Sequence, residues 1–181
     1  MTTKKELRAI CKEKRAAISN KDEKSADAVR KILRLDELKN ADAIFVFYPI
    51  KGELDLLPIA EFAWQSGKAV GFPLCEDKDG KMTFRKVGSL DELVDGSFGT
   101  KEPSNTAKEL EPKNAVILLP ALAADKKGFR LGYGKGYYDR YLAKHADLKP
   151  FTVCAVYKEL IFDELPHDDF DVACNAVVSV E

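Results

Sequence analysis

Four short apolar runs do most to limit how this chain can fold: residues 43–48 (Ala-Ile-Phe-Val-Phe-Tyr), 115–119 (Ala-Val-Ile-Leu-Leu), 151–156 (Phe-Thr-Val-Cys-Ala-Val) and 176–180 (Ala-Val-Val-Ser-Val). None alternates strictly between apolar and polar residues, as a strand with one wet face does. Each is short and rich in β-branched or aromatic side chains. Such runs read as strands buried on both faces, which implies a sheet covered by helices on its two sides.

The intervening segments supply those helices. Leu7, Ile10, Cys11 and the Ala17–Ile18 pair recur at helical intervals over residues 4–18, with a dense basic face between them. Ser19, followed by Asp22 and Glu23, reads as the N-cap of a second helix running through Ala26, Val29, Ile32 and Leu33. Pro49 ends the first strand, and the loop 51–55 leads into a helix over residues 57–65 that Gly67 closes. A strand at 69–72 follows, and the Asp79-Gly80 pair marks a hairpin joining 74–76 to 82–87. Residues 88–114 have little periodicity and read as either a connection or an irregular flap, with no element assigned. A helix runs from Tyr137 to about His145. Strands alternating with helices predict an α/β fold: a single domain over residues 1–181 with a mainly parallel central sheet, flanking helices and a small hairpin. Ligands in such folds collect at the carboxyl ends of the strands.

Composition narrows the class of protein. At 181 residues, 45% of them hydrophobic and 33% charged, the chain can build one core and cover it. A net charge of −1 offers nothing to attract nucleic acid or an anionic membrane, so neither partner is expected. The charged N-terminus has no apolar signal core, and no apolar run nears the roughly 20 residues that span a bilayer. Cys11, Cys75, Cys154 and Cys174 form no Cys-x-x-Cys pair, and only His145 and His167 accompany them, which argues against zinc. Cys11 and Cys154 read as buried thiols in a reducing, cytoplasmic setting. Neither histidine is assigned to catalysis.

The segment 128–139 (Gly-Phe-Arg-Leu-Gly-Tyr-Gly-Lys-Gly-Tyr-Tyr-Asp) carries the chemistry. Gly128, Gly132, Gly134 and Gly136 lie between a strand and a helix, where positive φ lets successive N–H groups face phosphate oxygens. Arg130 and Lys135 add positive charge, and Asp139 a hard oxygen ligand suited to Mg²⁺. The spacing fits neither Gly-x-x-x-x-Gly-Lys-Ser/Thr nor Gly-x-Gly-x-x-Gly, which disfavours a P-loop kinase and a dinucleotide-binding dehydrogenase.

Residues 118–142, which contain that loop, resemble the defining motif of the 5-formyltetrahydrofolate cyclo-ligases, also called methenyltetrahydrofolate synthetases. The similarity extends to residues 4–8, 48–53 and 98–103 and to the region of Asp171. The resemblance implies an ATP- and Mg²⁺-dependent enzyme that cyclises 5-formyltetrahydrofolate to 5,10-methenyltetrahydrofolate and releases ADP and phosphate. It places Lys4, Lys5, Glu6, Leu7 and Arg8, together with Arg130, Leu131, Gly132, Tyr133, Gly134, Lys135, Gly136, Tyr137 and Tyr138, at the ATP. Arg130 and Lys135 would be the catalytic cations. Tyr48, Glu53 and residues 133–137 (Tyr133, Gly134, Lys135, Gly136, Tyr137) would face the reduced folate. Asp139 and Asp171 would hold the metal. Lys4 and Arg8, one helical turn apart, share a face.

Three positions depart from the family pattern. Ala124 stands where an aromatic is usual, which predicts a reshaped pocket floor. Lys135 replaces a frequent glycine, and Asn175 a usual aspartate that could support the metal. The expected partners are ATP and reduced folate, met by a monomer. Two other readings compete: a non-catalytic reduced-folate binding or storage protein, and an isomerase or transferase acting on a sugar phosphate. The first has no need of a triphosphate cradle, and the second no use for the Lys4/Arg8 pair.

Overall fold

The computed structural model describes residues 3–77, 80–96 and 99–181. Asp79 of the expected hairpin turn and Phe98 of the 98–103 block lie outside the described residues. In chain order the elements are helices α1 (Lys4–Ala17), α2 (Lys21–Ile32) and α3 (Asp36–Asn40), strand β1 (Ala43–Phe45), helix α4 (Leu57–Gln65), and strands β2 (Ala69–Cys75), β3 (Met82–Lys86), β4 (Leu93–Asp95), β5 (Lys101–Pro103), β6 (Ala115–Leu119), β7 (Ala123–Asp125) and β8 (Arg130–Leu131). Helix α5 (Tyr137–Lys144) and strands β9 (Phe151–Tyr157), β10 (Ile161–Phe162) and β11 (Ala176–Val180) complete the chain.

The four apolar runs form β11, β9, β6 and β1, consecutive strands of a six-stranded sheet in the order β11-β9-β6-β1-β2-β3, parallel throughout except for β3 against β2. Their lack of alternation is explained by where successive side chains go. Ile44, Val46, Val116 and Leu118 pack on one face with α1, α2, α3 and α4 through Leu7, Cys11, Ile32, Leu38 and Ile59. Phe45, Ile117, Leu119, Cys154 and Val156 pack on the other with Tyr137, Tyr141 and Leu142 of α5. In β1 and β6 both faces are dry, so every position of those two strands is apolar. Among the described residues no helix is long and apolar enough to cross a membrane.

Several local expectations are corrected. The cap of α2 is Asn20, held at φ +53° with no side-chain cap bond, and not Ser19. Ala26 points outward, while Ser25 and Ala28 face the core. The ladder of β1 stops at Phe45, although Val46 N–H still donates to Gly71 O at 2.9 Å. The expected strands at 69–72 and 74–76 are one strand, β2, which ends at Cys75, with Pro73 in its ladder opposite Phe84. The unassigned stretch 88–114 carries the two-stranded sheet of β4 and β5 and then closes the β3 edge: Leu110 N–H donates to Phe84 O at 2.8 Å and Lys86 N–H to Lys108 O at 2.7 Å. Covering an edge in this way removes a template for pairing with other chains.

The largest correction falls on Gly128. The glycine segment does not run straight from strand to helix, because β7 and β8 form an antiparallel hairpin that joins β10 in a small sheet. Gly128 sits in that hairpin's turn at φ +94°, where an added Cβ would lie 2.7 Å from Cys174 O. Its role is to let the hairpin approach the 174 backbone, and its own carbonyl accepts from Cys174 N–H at 2.8 Å. Asp125, fully buried, ties the turn together by accepting from Lys127 N, Phe129 N and Leu165 N at 2.9 Å each. Ala124 is buried in the core between β10 and β8, not on a pocket floor. Asn175 is engaged structurally: its Oδ1 accepts from Thr152 N and Oγ1 at 2.8 and 2.9 Å, pinning the start of β11 to β9.

Candidate functional site

The sheet order creates a crevice. From β1 the chain passes through α4 to β2 and β3 on one side, and from β6 onward it builds β9 and β11 on the other. The direction therefore reverses between the neighbours β1 and β6, and loops leaving their carboxyl ends splay apart there. The loop after β1 carries Tyr48 and Glu53. The chain after β6 carries the β7–β8 hairpin, the glycine loop and α5. Both predicted ligand loops thus leave the same point of the sheet.

The two loops touch. Tyr133, between Gly132 and Gly134, donates its hydroxyl to Glu53 Oε1 at 2.7 Å. Glu53 Oε2 accepts from Ile50 N–H at 2.9 Å. Burial pushes the Glu53 carboxyl above the usual range, and Tyr133, Ile50 N–H, Arg15 and Lys51 offset only part of that. The Tyr133 phenol is likewise held above its ordinary range, by burial and by the Glu53 charge. Tyr48 is half-buried and packs against the core beside this loop.

Helix α1 lies across the glycine loop. Thr3 and Glu6 form a capping box, with Thr3 N–H and Oγ1 donating to Glu6 Oε2 at 2.8 and 2.9 Å. That fixes the helix start and so aims Lys4, whose Nζ reaches Asp171 at 2.5 Å and Asp168 at 2.6 Å. Burial works against the Lys4 charge, but the two carboxylates outweigh it and raise its pKa. Asp171 is the mirror case, with burial outweighed by Lys4 and the turn that Asp168 shares, so its carboxyl lies below the usual range. Arg8 donates from Nε to Gly132 O at 2.8 Å, and its guanidinium lies against Gly134, which adopts φ +97°.

The other wall is the start of α5, whose N-cap Gly136 has left-handed geometry and no side-chain cap. Its first-turn N–H groups lack intrahelical partners, and the helix dipole favours an anion there. Arg130 and Asp139 form a pair, Nη2 to Oδ1 at 3.2 Å, with side chains only 5% and 17% exposed. Asp139 also accepts from Val172 N–H at 3.3 Å, which brings it beside Asp171. The Tyr138 ring stands 5.9 Å from the Arg130 guanidinium and meets Phe84 edge-on. Arg130 Nε is buried and has no acceptor among the described residues.

The expected residues separate accordingly. Lys4, Arg8, Arg130, Gly132, Tyr133, Gly134, Gly136, Tyr138, Asp139 and Asp171 are brought together, with Glu53 and Tyr48 adjoining. Lys135 lies exposed on the loop, its carbonyl accepting from Arg140 Nη2. Lys5 is exposed, Glu6 is occupied by the cap, and Leu7 and Leu131 are buried in the core. Tyr137 also turns inward, and its hydroxyl donates to Asp77 O at 2.7 Å.

Two residues escaped sequence reading. Arg140 joins the loop to the hairpin by donating to the carbonyls of Lys135 and Gly80. Arg15, 3% exposed, donates from Nη2 to the Tyr133 hydroxyl at 2.8 Å. It lies two turns beyond Arg8 on the same helical stripe, and that spacing was the available signal. Beside it Arg15, Phe47, Glu53, Leu54 and Tyr157 help to line a small cavity of about 10 Å³, room for one water molecule and far too small for a pterin. His145 caps α5 through its Nδ1 and Tyr141 O, and His167 stacks on Phe129, so both stand apart from this cluster.

Comparison with known proteins gives the family and the fold. The 5-formyltetrahydrofolate cyclo-ligase family matches residues 1–180. The chain is 28% identical to the mouse (Mus musculus) 5-formyltetrahydrofolate cyclo-ligase, over 98% of this chain and 93% of that protein. It is also 28% identical to the Escherichia coli (strain K12) 5-formyltetrahydrofolate cyclo-ligase, over 94% and 96%. The NMR structure of Aquifex aeolicus 5,10-methenyltetrahydrofolate synthetase superposes with a TM-score of 0.81 at 32% identity, over 97% of this chain and 89% of that one.

Proposed function

The chain belongs to the 5-formyltetrahydrofolate cyclo-ligase family and is an ATP-dependent ligase of that kind, and we propose that the crevice between β1 and β6 is where it closes the folate ring. The observation that carries this reading is the 2.7 Å bond between Tyr133 and Glu53, which makes the nucleotide loop and the folate loop adjoining walls of one site.

A formamide oxygen leaves poorly. ATP phosphorylates it, giving an N5-iminium phosphate; the N10 amine then attacks the activated carbon and phosphate departs. Phosphoryl transfer asks the protein for positioning and charge neutralisation more than for covalent help. Arg130, Lys135 and the open N–H groups of α5 receive the phosphates, with Lys4 and Arg8 closing over them from α1. Tyr48 and Glu53 orient the folate. Asp139 and Asp171 supply two hard oxygen donors, and among the described residues no third His, Cys, Asp or Glu clusters with them. That donor set fits Mg²⁺, which takes one or two carboxylates and fills its shell with phosphate oxygens and water. When bound, Mg²⁺ would neutralise phosphate charge. Without ligands both carboxylates are already paired, to Arg130 and to Lys4. Nucleotide and metal therefore enter together: each cation exchanges a carboxylate for a phosphate oxygen. The protein acts as a monomer on these small molecules, in the cytoplasm.

The test is to incubate the protein with 5-formyltetrahydrofolate, Mg²⁺ and ATP and to follow the absorbance of the methenyl product. Product formation that requires ATP is expected. Bound folate with no product would leave a binding protein instead.

A further inference from the structure

Arg15 is a buried cation with no carboxylate in direct contact among the described residues. Its Nη2 bonds the Tyr133 hydroxyl at 2.8 Å, its Cζ lies 5.7 Å from the Tyr133 ring centroid, and its Nη1 has no acceptor among the described residues. Burying a guanidinium on such terms is costly, and a hydrophobic side chain would serve packing better. The cost has a counterpart in the site. A guanidinium can only donate and an ionised carboxylate can only accept. The Tyr133 hydroxyl between them therefore accepts from Arg15 and donates to Glu53, so one proton orientation runs through all three groups.

We propose that Arg15 is a positioning residue for the folate half of the site: through the Tyr133 hydroxyl it holds the Glu53 carboxylate and the glycine loop in one arrangement. This deepens, and rests on, the reading that Glu53 orients reduced folate. The same bond ties the nucleotide loop to helix α1, which Arg8 already grips at Gly132. Glu53 is faced by Arg15 from α1, Lys51 in its own loop, Tyr133 and Tyr138 from the glycine loop and α5, and Tyr157 from β9. Arg15 and Lys51 are the two cations, and Lys51 is exposed where Arg15 is buried. Water screens Lys51 far more than Arg15.

The experiment follows Glu53 directly in the substrate-free protein. Glutamate is labelled with ¹³C at the carboxyl carbon, the Glu53 signal is identified by its loss in Glu53→Gln, and its titration is compared in the parent, Arg15→Met, Arg15→Lys and Tyr133→Phe. Removing the guanidinium or the hydroxyl deletes a stabiliser of the ionised form, so the midpoint moves up in Arg15→Met and in Tyr133→Phe. Combining the two adds little to either, because both break the same chain. Arg15→Lys recovers part of the shift. In turnover, KM for 5-formyltetrahydrofolate rises roughly tenfold on loss of this charge-assisted contact, while KM for ATP changes much less. Tyr133→Phe keeps the ring and its packing, so it carries the test if Arg15→Met fails to fold. An unchanged Glu53 midpoint in Tyr133→Phe overturns the proposal. A shifted midpoint with an unchanged folate KM upholds the chain of bonds and removes Glu53 from folate binding.

Discussion

Removing the Asp139 carboxylate should unfold the site before it informs on chemistry. Arg130 is 5% exposed at its side chain, and Asp139 supplies its charge partner through contacts at 3.2 and 3.5 Å. Deleting one member of a buried pair leaves the other desolvated and unpaired, which costs about 3–5 kcal/mol. The contacts here are long and the Tyr138 ring remains beside the guanidinium, so the lower end, about 3 kcal/mol, applies to Asp139→Ala. For a domain of this size each kcal/mol moves the melting temperature by roughly 2–4 °C, which gives a fall of about 6–12 °C. Calorimetry or circular dichroism in the absence of ligands measures it. The double variant Arg130→Met/Asp139→Leu removes both charges and replaces them by apolar groups. It should melt near the parent, because an apolar pair costs no ionic desolvation, yet form no methenyl product. Mg·ATP should raise the melting temperature of the parent by mass action and leave the double variant unmoved. If Asp139→Ala melts within about 2 °C of the parent, the pair is not a buried ion pair in energetic terms, and the reasoning fails.

Two further outcomes test the folding logic. Glu53 is held protonated more readily in the folded protein than in the unfolded chain, so the fold binds the extra proton and stability falls as pH rises through the raised pKa. Glu53→Gln removes that penalty: it should melt higher than the parent at pH 7.5, the advantage fading toward pH 4, and a variant less stable at pH 7.5 would contradict the account of burial. Gly128→Ala forces a Cβ to 2.7 Å from Cys174 O at φ +94°, and should cost about 1–3 kcal/mol of stability in a denaturant titration, with a cost near zero refuting the close approach.

The elements were largely legible because local chemistry specifies them. Period and length mark residues 57–65 as a helix, and the observed α4 has those bounds. Continuous apolar runs mark 115–119 and 176–180 as strands, and 115–119 is buried on both faces, because parity alone cannot hide one face from water. The misreadings have equally local causes. Pro73 suggested a break that the ladder tolerates, and the Gly128 turn was absorbed into the glycine loop because both use residues at positive φ. The stretch 88–114 was unreadable because β4 and β5 answer to one another and residues 108–110 to the edge of β3, and no period of their own records that.

The sequence by itself determined the strands of the main sheet, most of the helices, the glycine loop and the charged residues that flank it, since each depends on neighbours within a few positions. Only the tertiary structure decided that the strand order reverses between β1 and β6, so that loops 80 residues apart meet as Tyr133 and Glu53. It also decided which basic residue of α1 faces inward. Lys4, Arg8 and Arg15 share one stripe of a helix, and nothing local separates them. What separates them is the surface that the helix packs on: acidic turn at Lys4, glycine backbone at Arg8, and a buried phenol at Arg15.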